Sequence, residues 1–169
     1  MTQVEDVTRH PALLDEVIRN CPNTIVLLES TYPLRRYTCA MHVFDFIEKP
    51  EYAAIAERGL NRVFAGGAFV HWLLDERLLE EIAPRDAREG VIVVYFNEAG
   101  LFKHAGITVR EDRVVSKWGT GHLFEHGLFE VPESYGTKVR FFRKLRQATA
   151  YEYFMLFAKD NGMLLDETS

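Results

Sequence analysis

Cys39 stands directly after Thr38 at the head of an apolar run, Cys39-Ala40-Met41-His42-Val43-Phe44-Asp45-Phe46-Ile47. Threonine is a good helix N-cap, because its hydroxyl can accept a bond from a free backbone N–H of the first turn. Cys39 is then the first helical residue, and Ala40, Val43, Phe44 and Ile47 fall on one stripe at i, i+3, i+4 and i+7. A thiol at that position feels the positive end of the helix dipole, which favours thiolate, the form in which a cysteine attacks. The plainer reading is a small buried cysteine in an apolar helix. A nucleophile also needs an imidazole within hydrogen-bond reach and a third group to orient that imidazole. His104, followed by Ala105-Gly106-Ile107 at the start of an expected core strand, is the candidate base. Ser116, His122 and His126 are the candidates for orienting it, with Lys117 behind them. Thr38, Trp118 and His122 are candidates for an oxyanion site or a substrate groove, and Trp118 could equally cap the core.

Other groupings compete for the same residues. His42 and Asp45 follow Cys39 at i+3 and i+6, and read as an exposed or groove-lining stripe. Cys39, His42, His122 and His126 have the ligand types of a zinc site, and His122 and His126 are spaced to share a helical face. No Cys-x-x-Cys or His-Glu-x-x-His pattern supports that set, so zinc ranks below the nucleophile. His71, beside Trp72, and Cys21, before Pro22, read as structural. Gly66-Gly67 and Gly119-Thr120-Gly121 lack the spacing of a phosphate loop and read as turns. Arg140, Arg143, Lys144 and Arg146 form a basic cluster, expected to be a solvated strand edge, with an anionic substrate group as the sharper alternative.

Elements must position these groups. The first half reads as helical: Ala12–Asn20, the Cys39 helix, Glu51–Arg58 after Pro50, and Ala68–Leu74. Short extended pieces are expected at Thr24–Glu29 and Leu78–Ile82. The second half changes period. Val91–Phe96, Lys103–Val109 and Arg113–Trp118, joined by short turns, predict an antiparallel meander. His122–Val131 reads as irregular or briefly helical, Lys138–Leu145 as a fourth strand, and Thr149–Lys159 as a closing helix. One α+β domain follows, with a helical half over 1–83, a sheet half over 90–146 and a C-terminal helix over 149–159.

The chain has 169 residues, 47% hydrophobic and 27% charged, enough for a substantial core. A net charge of −5 and a pI near 5.7 argue against nucleic-acid or anionic-membrane binding. Two cysteines do not make a disulfide framework, and Met1 to Asp6 has no signal-peptide character. A cytoplasmic protein is the expectation, with a specialised export route still open.

In order, the chain carries a helix-initiating cysteine, Gly90-Val91-Ile92-Val93-Val94-Tyr95-Phe96, His104-Ala105-Gly106-Ile107 and Val114-Val115-Ser116. This resembles the NlpC-type cysteine peptidases of the papain-like clan. Their pattern is a Cys-led helix, a Gly-Asp-led apolar strand, a His-Val-Gly-Ile-Tyr-like strand and a third polar residue on the next strand. The resemblance covers roughly Thr38 to Trp118, and more loosely the strand at Val139. Ser116-Lys117-Trp118-Gly119, followed by His126 and Tyr135-Gly136, also resembles a bacterial group with the same order of elements. The resemblance implies a papain-like fold with the Cys helix on an antiparallel sheet, Cys39 as nucleophile and His104 as base. Three positions depart from it. Ser116 stands where the family usually has His, Asn or Gln, Val91 replaces the strand-leading Asp, and Thr38 replaces the Asp before the cysteine.

The expected function is a cysteine hydrolase or amidase cleaving an amide, isopeptide or thioester bond in a small-molecule or peptide substrate, with acyl transfer served by the same geometry. The chemistry needs no metal or organic cofactor. The alternative is a catalytically silent binding module on the same scaffold.

Overall fold

The computed structural model describes residues 9–28, 37–46, 65–110, 112–119 and 121–161. Seven antiparallel strands form one sheet: β1 (Val26–Leu28), β2 (Glu81–Ile82), β3 (Ile92–Phe96), β4 (Phe102–Arg110), β5 (Arg113–Lys117), β6 (Leu123–Gly127) and β7 (Lys138–Phe142). Their spatial order is β1-β6-β5-β4-β3-β7-β2. Four helices are described with it: α1 (His10–Asn20), α2 (Cys39–Val43), α3 (Gly67–Asp75) and α4 (Gln147–Asp160). The class is α+β. None of the described helices is long and apolar enough to cross a membrane.

Strand alternation sorts the core into two sides. Ile92, Val94, Phe96, Ala105 and Phe142 pack against Ala40, Met41 and Val43 of α2, Phe69, Val70 and Leu73 of α3, and Phe154 of α4. Phe69 sits at the middle of that side, with Phe44 and Phe154 ring centroids both 5.5 Å away and edge-on. Val93, Tyr95, Val114 and Phe141 point to the other face. There Leu14 of α1 and Ile25 join Trp118, Phe124 and Tyr135 in a second cluster. With both faces covered, β3 is buried along its whole length, which is why its sequence is continuously apolar.

The sequence expectations meet three corrections. His122–Val131 is neither irregular nor helical through its first part, because Leu123–Gly127 is β6, paired with β5 on one side and β1 on the other. His126 therefore lies on a strand, and the i, i+4 helical relation to His122 does not exist. The Cys39 helix ends at Val43, because Phe44 caps it and Asp45 adopts a left-handed φ of 58°. The closing helix begins at Gln147, two residues ahead of Thr149. The expected helix over 51–58 and the stripe position Ile47 lie outside the described residues.

Candidate functional site

Thr38 builds the start of α2 with its hydroxyl and its N–H. Its Oγ1 accepts from Met41 N–H at 3.3 Å and donates to the Ala65 carbonyl at 2.9 Å, and its own N–H meets Met41 Sδ at 3.4 Å. The hydroxyl proton is thus committed to a carbonyl, and Thr38 acts as a cap rather than as an oxyanion donor.

That cap delivers Cys39 to β4. β4 and β5 are paired from Gly106↔Ser116 onward, and Ala105 lies just beyond the last pair. The backbone amides of Ala105, Ala40 and Cys39 act on the Cys39 sulfur and pull its pKa down. The strand amide that acts on the sulfur thus belongs to the β4 residue just past the last β4–β5 pair, the one that follows His104.

The thiol is 9% exposed, and burial pushes its pKa up to about 11 against the opposing pull of those three amides. The thiolate expected from the helix dipole is not the resting form. A helix of five residues carries too few aligned peptides to offset desolvation.

His104 projects onto the other face, opposite Tyr95 in the register. Its ring is stacked on Tyr135 with centroids 3.9 Å apart, and Tyr95 lies 5.6 Å away. Burial holds it neutral, well below the usual imidazole range, and His126 and His42 add to the effect. His104 Nε2 is buried without a hydrogen-bond partner. The same is true of His42 Nε2 on α2 and of Tyr135 Oη, which the Gly119 N–H approaches without completing a bond. Buried polar groups left unpaired cost roughly 1–3 kcal/mol each. Among the described residues these three orphaned atoms belong to α2, β4 and the Tyr135 turn. His42 is one turn along the helix from Cys39, His104 precedes the β4 residue whose amide acts on the sulfur, and Tyr135 is within electrostatic reach of Cys39.

Ser116 and His126 form a separate, fully buried pair. His126 Nδ1 is 2.8 Å from the Gly127 carbonyl, which can only accept, so Nδ1 carries the proton. Burial keeps the ring neutral, so Nε2 is an acceptor, and Ser116 Oγ–H donates to it at 2.7 Å. Trp118 Nε1–H donates in turn to Ser116 Oγ at 3.1 Å. The Ser116 proton is spent on His126, and no hydrogen bond reaches the His104 ring among the described residues. Of the expected orienters, Ser116 and His126 are thus bonded to each other. His122 lies edge-on to Phe124, with centroids 6.5 Å apart. Trp118 stacks on Phe124 at 4.3 Å in the core rather than lining a groove. Lys117, also fully buried, donates from Nζ to the Gly121 carbonyl, and burial lowers its pKa.

The remaining singled-out residues take structural posts. His71 Nε2 accepts from the Phe102 N–H at 3.0 Å, which fixes the start of β4 on α3. Arg140 and Arg143 make two-pronged ion pairs with Glu81 and Glu80, and Lys144 pairs with Asp45 at 2.8 Å. Cys21 is exposed and free. Among the described residues no cluster of three or more His, Cys, Asp or Glu is placed to hold a metal ion.

Sequence reasoning quoted Tyr135 only within a resemblance and gave it no role at the site. It lies in a short 3₁₀ turn, Glu133–Tyr135, far along the chain from His104. The one local signal is Gly136, whose φ of 92° and close approach to the Phe96 carbonyl pin the turn against β3. No protein-family model, no curated protein and no solved structure matches this chain.

Proposed function

We propose that the protein is a papain-like cysteine hydrolase or amidase of NlpC type, with Cys39 as nucleophile and His104 as general base. The observation that carries this reading is the pull of the Ala105 amide on the Cys39 sulfur, one residue along β4 from His104, whose buried Nε2 has no partner among the described residues. Both groups rest neutral, so the reaction starts from thiol and imidazole rather than from an ion pair. The sulfur attacks a carbonyl carbon as its proton passes to His104, and the carbonyl electrons move onto oxygen. The N–H groups of Cys39 and Ala40, and the unspent hydroxyl of Tyr135, are the donors available to that oxygen. The imidazolium then protonates the leaving amine or thiol as its bond to carbon breaks, which leaves a thioester on Cys39. Water attacks the thioester, His104 takes the water proton, and the departing sulfur takes it back.

One observation favours a silent binding module on the same scaffold: a 9% exposed thiol with a pKa pushed up to about 11 and no group bonded to the proposed base. Treatment with p-nitrophenyl acetate, followed by peptide mass spectrometry, separates the two. A hydrolase acetylates at Cys39, and His104→Ala slows that step by about 10²–10⁴-fold. A silent module leaves Cys39 unmodified in the folded state while the exposed Cys21 reacts at an ordinary thiol rate, and that outcome would sink the proposal.

A further inference from the structure

A cavity of about 620 Å³ opens away from Cys39, between the 84–89 loop and the starts of the β4–β5 and β6–β7 connections. None of its lining residues is Cys39, His42, His104, Ser116, His126 or Tyr135. Leu128 lines the cavity, and its carbonyl accepts from Tyr95 Oη at 2.7 Å. The volume is in the range that holds a small molecule.

The floor is apolar, made by Ala87, Val114, Leu128 and Phe141. Four guanidinium groups stand around it, from Arg85, Arg88, Arg110 and Arg113. They are not equivalent. Arg110 and Arg113 are tied to Glu125, and Arg113 also to Glu130 and Thr24. Among the described residues Arg85 pairs only with Asp86, at 3.7 Å, with both side chains exposed. Arg88 has no carboxylate partner among the described residues. Its Nη1 donates to the carbonyls of Arg85 and Ala87 at 2.9 and 2.8 Å, which folds the side chain over its own loop, and among the described residues its other N–H groups have no acceptor. The loop itself is anchored, since Thr108 Oγ1 donates to the Arg88 carbonyl at 2.5 Å and accepts from Val91 N–H at 2.9 Å. An arginine held on a fixed backbone with open donors is preorganised for a planar anion.

We infer that this cavity binds a small amphipathic monoanion, with a flat apolar body on the Val114–Phe141 floor and a carboxylate paired with Arg88. The carboxylates of Glu89 and Asp112 also line the cavity, and they oppose a second negative charge on the ligand. A monocarboxylate is therefore favoured over a phosphate monoester.

Calorimetric titration of the whole chain with 2-naphthoate tests this, beside neutral 2-naphthylmethanol and 2-naphthyl phosphate. Saturable one-site binding of 2-naphthoate is expected, with the alcohol and the phosphate weaker by about tenfold or more. Arg88→Gln keeps the side-chain stem, removes the charge, and should weaken 2-naphthoate by about tenfold while leaving the alcohol unchanged. Ala87→Phe fills the cavity and should abolish binding with the melting temperature retained. If Ala87→Phe does not fold, the exposed Arg88→Gln variant decides alone. Absence of saturable binding, equal binding of acid and alcohol, or an Arg88→Gln variant that binds like wild type would each overturn the inference.

Discussion

His42 and His104 are held neutral by the same desolvation that keeps Cys39 protonated, so the site is a set of uncharged groups in a dry environment. Stability must follow pH accordingly. Burial lowers His42 from an ordinary value near 6.5 to about 4, and His104 and His126 are lowered too. A base with a depressed folded pKa contributes stability that is present above its unfolded value and lost as pH falls. The melting temperature should therefore begin to fall below pH 6.5. The paired carboxylates of Glu81 and Glu125 start near 4.5 and are lowered from there, so the span between 6.5 and 4.5 belongs to the histidines. Thermal melts across that span should show a slope that flattens in His42→Gln and His104→Gln. A flat wild-type curve down to pH 4.5 would contradict the neutral cluster. At this scale the sequence was informative about Cys39 and its Thr38 cap, which are local features. It pointed to thiolate and was misleading on charge state, because burial, which local pattern does not encode, outweighs the helix dipole.

The β4–β5 pair is the element on which the site rests. Gly106 lies across from Ser116, and a Cβ built on it would come within 2.5 Å of Val114 Cγ1 and 2.9 Å of Ser116 Cβ. The two strands are thus pressed together beside the point where their pairing ends. Gly106→Ala should cost about 1–3 kcal/mol in urea unfolding, typical of forced overpacking. Spread through the strands, it should also weaken the Ser116–His126 bond. A variant as stable as wild type would mean that β5 can move away freely. The meander from β3 to β5 was legible because Val91–Phe96 and Arg113–Lys117 carry dense β-branched residues next to short turns. β6 was not, since its inward residues are Phe124 and His126, and a histidine facing the core breaks the apolar alternation. His126 is tolerated there only because Ser116 and the Gly127 carbonyl satisfy both ring nitrogens.

Over the whole molecule, the two ends of the sheet are short and are held by polar clasps. β1 has three residues, and its approach is fixed by Thr24, whose N–H and hydroxyl donate to Glu130 at 2.8 and 2.6 Å. β2 has two residues and is tied to β7 by the Glu81–Arg140 pair. Hydrogen exchange should release β1 and β2 amides well before those of β3 and β4, and Glu130→Ala should speed β1 further without changing β3. Uniform protection across all seven strands would refute this gradient. The class of the fold was readable from helices followed by strands. The sheet order was not, because both edge strands come from the first half and find partners through contacts that local pattern does not encode.

The clasp between Thr24 and Glu130 joins residues 106 positions apart. On a ribosome, β1 emerges long before β6 exists, and it must wait without a partner while the intervening chain is made. The β3–β6 meander can zip from neighbouring hairpins, whereas closing either edge needs contacts between residues far apart in the chain, which form more slowly. These separations predict an order of assembly, which pulse-labelled hydrogen exchange during refolding checks. The middle of the sheet condenses first, the amino-terminal strand docks last, and a nascent chain stalled before residue 123 presents β1 as a bare edge that chaperones would have to shield.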